Sequence, residues 1–246
     1  MRFALEEDAM KLLINPTWRC QLSCPYCLLP HIKINRKATE HAWWEWVNAI
    51  VKHAPAGSVV DIAGGDPLLW DGLELFCAAL FEHGIRWAIT TNALHTAAVD
   101  KLLTLHPGGC QLINISDHPG NLVADANIAR LRSAYPVVMN RVDHPDAGKR
   151  NVQVSSLIPY QSYREGTEID HVVRYCDSGI HHWVIDVAGD AFICNVAMAT
   201  GRKPLGNIFR DEVIPKPTER FICDWGCSSC YTSVPGCWDV HQEVIR

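Results

Sequence analysis

The sequence predicts an α/β fold: six short strands alternating with helices over residues 1–165, then a small cysteine-rich extension over 166–246 that contains a β-hairpin. Two observations predict the first part. Short apolar runs alternate with segments of helical periodicity, the pattern of βα units on a parallel sheet. Each apolar run is also followed by a distinctive polar or glycine group, as expected where active-site loops follow the strands of a parallel α/β barrel. The strands are expected at 12–15, 59–63, 87–91, 112–116, 137–141 and 153–158. Thr39 is expected to cap a first helix in which Trp43, Trp46, Val47, Ile50 and Val51 form one apolar stripe, so those tryptophans read as core. Asp71 is expected to cap a second, with Leu73, Phe76, Cys77 and Leu80 on one face and Gly84 as its stop. Cys77 then reads as a buried apolar thiol. Further helices are expected over 96–105 and 122–133.

Composition narrows the function classes. With 246 residues, 48% of them apolar and 20% charged, the chain can bury one α/β core and a small appendage. The first ten residues are mixed and acidic, and no run approaches the roughly 18 apolar residues of a membrane span, so a cytoplasmic protein without membrane contact is expected. Eleven cysteines in such a chain point to metal or cluster ligation rather than to a disulfide framework. A formal charge of −5 offers no general basic field for a nucleic-acid backbone.

Three of those cysteines, Cys20, Cys24 and Cys27, stand as C-x3-C-x2-C directly after the first strand run. Three thiolates can hold three irons of a [4Fe–4S] cube and leave the fourth iron open for chemistry. A structural zinc knot is the alternative, and it would need a fourth ligand. The spacing resembles the signature of the radical S-adenosylmethionine (radical SAM) enzymes. The resemblance implies a partial (β/α)6 TIM-like barrel, S-adenosylmethionine chelated by the open iron, and reductive cleavage to a 5′-deoxyadenosyl radical. It also places Tyr26 beside the adenine.

The resemblance extends over about residues 10–160. Gly64-Gly65-Asp66-Pro67 looks like the Gly-Gly-Glu-Pro motif after the second strand of that barrel, where backbone and carboxylate groups receive the methionine ammonium. Glycines allow close backbone approach, and a carboxylate can balance an ammonium. Aspartate in place of glutamate shortens the reach by one methylene. The same resemblance puts Asn92, Ser116 and Asn140 near the ribose or carboxylate of S-adenosylmethionine, and Ile158 near its adenine. Arg141, whose fork suits a carboxylate, and Tyr160 are candidate substrate contacts. His118, Arg164, Asp224 and Trp225 could line the same cavity, and no acid or base is assigned.

Beyond about residue 165, Cys176, Gly189 and Cys194 are spaced C-x12-G-x4-C around an alternating segment with a central turn, which reads as the hairpin. That spacing, followed by Leu205-Gly206-Asn207-Ile208, resembles the opening of the twitch and SPASM extensions, which hold auxiliary [4Fe–4S] clusters. Cys227 and Cys230 form a natural second pair, so the ligand set implied is Cys176, Cys194, Cys227 and Cys230, with Cys223 and Cys237 as alternates. Six cysteines rather than seven favour the single-cluster twitch type. A zinc ribbon is the alternative use of such pairs. Two clusters in all are expected.

Compact twitch proteins resemble an aminocyclitol dehydrogenase, so the leading expectation is oxidation of an alcohol-like small molecule by removal of a hydrogen atom from an unactivated C–H. Modification of a ribosomally made peptide is the second, and nucleotide or nucleic-acid modification the third. Asn195 stands where sulfatase-maturing relatives carry a basic aspartate, and an amide cannot take that proton. A flavodoxin- or ferredoxin-type reductant is implied through the family. A non-catalytic iron–sulfur or zinc scaffold is the contrasting class.

Overall fold

The structure, a computed structural model, describes residues 9–22, 37–117, 122–141, 174–176, 179–199, 201–219, 221–223 and 243–244. Five strands follow one another in parallel: β1 (Lys11–Thr17), β2 (Val59–Gly64), β3 (Arg86–Thr91), β4 (Cys110–Asp117) and β5 (Val137–Arg141). Between them run α1 (Trp43–His53), α2 (Leu73–Glu82), α3 (Thr96–Leu102) and α4 (Leu122–Ala134). This is the α/β, mostly parallel arrangement expected, and the first five strands lie where the apolar runs placed them. The sixth expected strand, 153–158, lies outside the described residues.

The hairpin is present, but its placement was not visible in the sequence. β7 (His182–Ile185) pairs in parallel with β1, and β8 (Asp190–Phe192) and β9 (Gly206–Asn207) continue antiparallel, giving the order β5-β4-β3-β2-β1-β7-β8-β9. β1 is thus interior. Its residues after Lys11 are all buried, as are all four of β7, and a strand apolar on both faces needs partners on both edges. A short α5 (Asn195–Ala199) follows β8, and a separate three-stranded sheet joins β6 (Arg174–Cys176) to β10 (Phe221–Cys223) and β11 (Glu243–Val244).

The helix starts differ from expectation. Thr39 does not cap α1: its hydroxyl accepts from His41 N and from the buried Trp46 Nε1, and the cap is Ala42, whose N–H is taken by Glu45 at 2.7 Å. Asp71 does not cap α2: Gly72 does, with φ 85°, and its Cα lies so close to the Trp43 ring that a Cβ would come within 2.7 Å of it. α3 stops at Leu102, because Leu103 to Leu105 turn back toward the short 3₁₀ helix Pro107–Gly109.

The apolar stripes hold except at Val51, which is exposed near the end of α1. Trp46, Val47 and Ile50 are buried in α1, and Leu73, Phe76, Cys77 and Leu80 in α2, while Trp44 stays 52% exposed. Trp46 meets Trp70 and Phe209 edge-on, with centroids 6.2 and 5.1 Å away. Burial pushes the Cys77 thiol well above its ordinary range, as expected for a packing residue. No helix among the described residues is long and apolar enough to cross a membrane.

Trp46→Ala is expected to lower stability by about 3–5 kcal/mol and Trp44→Ala to stay within about 0.5 kcal/mol, both read as the urea midpoint. A second outcome follows from His182 in β7, whose imidazole burial pushes from 6.5 down to about 4. The unfolded chain takes up that proton first as pH falls, so the contribution is whole above pH 6.5 and is lost toward pH 4, an effect on the order of 3 kcal/mol. Urea titrations across that window should show the loss in the parent and a flatter dependence in His182→Phe.

Candidate functional site at the carboxyl ends of the strands

β1 to β4 deliver Trp18 to Cys20, Gly64 to Asp66, Thr91 to Asn92 and Ser116 to the same sheet edge. The backbone leaving β1 is gripped from both sides. Trp18 N donates to Lys37 O at 2.6 Å and Thr39 N to Pro16 O at 2.8 Å, so the chain returning at 37–39 is zipped to the end of β1. On the other side Gly65 N donates to Thr17 O and Asp66 N to Arg19 O, both at 2.7 Å. This second grip explains the glycine pair. Gly64 has φ 113° and a Cβ there would lie 2.3 Å from Thr17 O, while one on Gly65 would lie 2.0 Å from Arg19 O. The atoms that forbid side chains at both positions are thus the protein backbone just before Cys20.

Asp66 caps the 3₁₀ turn Pro67–Leu69 and is fully buried. Its Oδ1 accepts from Leu68 N at 3.0 Å and from Thr91 Oγ1 at 2.8 Å, and its Oδ2 accepts from Asn92 N at 3.4 Å. Burial raises its carboxyl from the ordinary range, opposed by the three hydrogen bonds. Both oxygens of the carboxylate expected at the methionine ammonium therefore face protein donors.

Asn92, 6% exposed, directs its amide at the start of the cysteine loop: Nδ2 lies 3.9 Å from Cys20 Sγ and 3.3 Å from Gln21 Oε1, while Oδ1 accepts from Leu94 N at 3.0 Å. Cys20 is a partly exposed free thiol whose sulfur also accepts from Leu22 N at 3.4 Å. Ser116 is half-buried near the end of β4, opposite Asn140 of β5 in register. Asn140 and Arg141 lie in β5. Tyr26, Cys24, Cys27, Ile158 and Tyr160 lie outside the described residues.

The hairpin brings a second cysteine to the opposite side of β1. Cys194 is buried among Leu13, Trp18, Val184, Phe192, Ala197 and Met198, and its sulfur accepts from Ala197 N at 3.4 Å. Cys176 and Cys223 lie in the neighbouring strands β6 and β10, opposite Phe221 and Arg174 in register. Cys227, Cys230 and Cys237 lie outside the described residues. Among the described residues no three potential ligands converge on one metal position.

Two contributors, Ala93 and Asn127, escaped the sequence reading, and a third, Thr91, was expected only as one of the polar residues that end β3. Thr91 links Asp66 to Ala93 N; Ala93 adopts φ 58°, left-handed for a non-glycine residue; Asn127 Nδ2 holds the Ala93 carbonyl at 2.8 Å. Asn127 had a signal: it sits between Ala124, Ile128 and Leu131 on the buried stripe of α4, where a polar residue calls for a partner.

Residues 14–117 match the Radical SAM superfamily. The PqqA peptide cyclase of Methylorubrum populi is 27% identical over 129 residues, 52% of this chain and 33% of that protein, so the chain spans about a third of this relative's length. Among solved structures, BtrN in an open conformation has a TM-score of 0.50 at 17% identity, covering 83% of this chain and 77% of its own. Streptococcus suis SuiB bound to S-adenosylmethionine has a TM-score of 0.50 at 16% identity, covering 84% of this chain and 64% of its own. Those two likenesses are of fold.

Gly65→Ala is expected to push residues 17–19 out of place and to lower both stability, by about 1–3 kcal/mol, and the iron retained after reconstitution. Gly201→Ala, where a Cβ meets nothing within 4 Å, carries only backbone strain of about 1–2 kcal/mol and should keep its iron.

Proposed function

We propose that this chain removes a hydrogen atom from an unactivated C–H of its substrate, on the premise that residues 14–117, which match the Radical SAM superfamily, make it an enzyme using a [4Fe–4S] cluster and S-adenosylmethionine. Cys20, Cys24 and Cys27 are assigned as ligands of the radical cluster. The observation that carries this is the Cys20 thiol, held at the carboxyl end of β1 by the Gly64–Asp66 grip and met by two N–H donors. Such a donor set suits a thiolate bound to iron. When bound, the cluster supplies the electron that cleaves S-adenosylmethionine to a 5′-deoxyadenosyl radical.

The chain's own residues position the cosubstrate. Tyr26, Gly64, Gly65, Asp66, Asn92, Ser116, Asn140 and Ile158 are assigned to its binding, with Asp66 and Asn92 acting through the loops they hold. Confining the reacting C–H near this edge of the sheet selects which hydrogen leaves. We assign residues 1–165 to a partial TIM-like barrel and 166–246 to a twitch-like unit holding a second [4Fe–4S] cluster through Cys176, Cys194, Cys227 and Cys230. The burial of Cys194 on the far side of β1 from β2 supports it. A flavodoxin- or ferredoxin-type protein is the proposed reductant, and the cytoplasm the proposed location.

For the substrate, the similarity over half the chain to a protein named as a peptide cyclase supports a peptide C–H. An alcohol carbon of a small aminocyclitol-like molecule is the reading drawn from the compact extension. Both use the same hydrogen abstraction.

Iron and acid-labile sulfide per chain after anaerobic reconstitution test the cluster assignment. Roughly eight irons in the parent should fall to about four in the Cys20→Ala, Cys24→Ala, Cys27→Ala variant, with 5′-deoxyadenosine formed from S-adenosylmethionine and reductant only by the parent. A parent value of roughly four that falls to none overturns the second cluster, and absence of 5′-deoxyadenosine overturns the radical reading.

A further inference from the structure

We propose that Asn92 is a positioning residue for the Cys20 sulfur, its side-chain amide donating to Sγ, and that Asp66 fixes the spacing of the two. The inference rests on the proposed ligation of Cys20 to the radical cluster. It departs from the expectation that Asn92 and Asp66 meet the cosubstrate directly.

The orientation of the amide follows from its neighbours. The Leu94 N–H requires an acceptor, so the atom 3.0 Å from it is Oδ1; Nδ2 then points at Cys20 Sγ, 3.9 Å away, and at Gln21 Oε1. A flipped amide would oppose two N–H groups and turn an oxygen toward the sulfur. The backbone carrying Asn92 is held just as closely. Asp66 accepts from Asn92 N and from Thr91 Oγ1, and the next residue, Ala93, is kept in its left-handed conformation by Thr91 Oγ1 on its N–H and Asn127 on its carbonyl. A left-handed alanine is strained by about 1–2 kcal/mol, and such outliers persist where surrounding contacts over-determine them.

Asp66 also reaches the other partner. Its own N–H donates to Arg19 O at 2.7 Å, one residue before Cys20. One residue therefore grips the Cys20 side through its backbone and the Asn92 side through its carboxylate. Aspartate suits this better than glutamate, because its short side chain turns back onto Leu68 N, two residues on, while still reaching Thr91 and Asn92.

Hydrogen bonds to cluster sulfurs are among the determinants of reduction potential. An N–H at the thiolate stabilises the reduced, more electron-rich cluster. Removing it shifts the potential to more negative values.

The test is a potentiometric titration of the reconstituted full chain, following the paramagnetic signal that disappears in Cys20→Ala. Asn92→Ala is expected to keep its iron and shift the midpoint to more negative values. Asn92→Asp keeps the acceptor for Leu94 N, and so the loop, while replacing the donor by a carboxylate; it should shift further the same way. Asp66→Asn should move in that direction by less. Midpoint and signal shape equal to the parent's in Asn92→Asp overturn the proposal, whatever happens to the melting temperature. A parent with no Cys20-dependent signal overturns instead the ligation on which the proposal rests.

Discussion

The arrangement of this sheet edge depends on one close approach, the backbone of Gly64 to Asp66 laid against that of Thr17 to Arg19. Two hydrogen bonds of 2.7 Å continue the β1–β2 pairing past the end of the regular ladder, and the register shifts between Ile14 and Thr17 to allow it. A chain that must project a thiol from a loop faces an entropic problem, since each free residue costs about 1–2 kcal/mol to order. Here the loop begins already ordered. The residues before Cys20 are fixed by β2 on one side and the returning segment at 37–39 on the other, so the hydrogen-bonded backbone extends to the residue before the cysteine.

That approach has a consequence for charge. Bringing Gly65 against Arg19 carries Asp66 into the interior, where an unpaired carboxylate would be intolerable. Three donors meet it, from Leu68, Thr91 and Asn92, and each belongs to a different requirement: the turn after β2, the end of β3, and the residue aimed at Cys20. The buried carboxyl ties the turn after β2 to the end of β3, and the backbone N–H of the same residue ties both to Arg19, which the sheet alone would leave independent. A neutral residue of the same size would satisfy fewer of these donors, and the N–H groups left over would themselves be buried without partners.

Much of this was legible in sequence because it is periodic. Apolar runs placed β1 to β5 within two residues at each end, and the α1 and α2 stripes identified Trp46 and Phe76 as core. What failed was local competition for hydrogen bonds. Thr39 and Asp71 are good caps by residue type, yet the Thr39 hydroxyl is taken by an indole from the following helix, and Gly72 is forced by the Trp43 ring. Neither partner is adjacent in sequence. The Gly-Gly-Asp-Pro motif was visible, but not the reason for its glycines, because the obstructing atoms belong to a strand some fifty residues earlier. Thr91 was visible only as part of a polar strand end, and Ala93 carried no signal, since a buried alanine is ordinary until its dihedrals and partners are known.

The parallel pairing of β7 with β1 was the largest omission, and it bears on how the two cysteine groups relate. Asn15 Nδ2 donates across that seam to Ile185 O and contacts Met198 Sδ, tying the hairpin and α5 to the middle of β1. Trp18, two residues before Cys20, is packed in the same small core as Cys194. Cores of this kind resist small displacements because their side chains are close-packed. The strand that leads to Cys20 and the hairpin that leads to Cys194 are therefore packed together, through Asn15 and Trp18. A cysteine-rich extension built as a separate lobe would need its own interface to hold a fixed distance from the first loop. Sharing β1 lessens that need, since the hairpin that carries Cys194 is already paired with the strand that leads to Cys20.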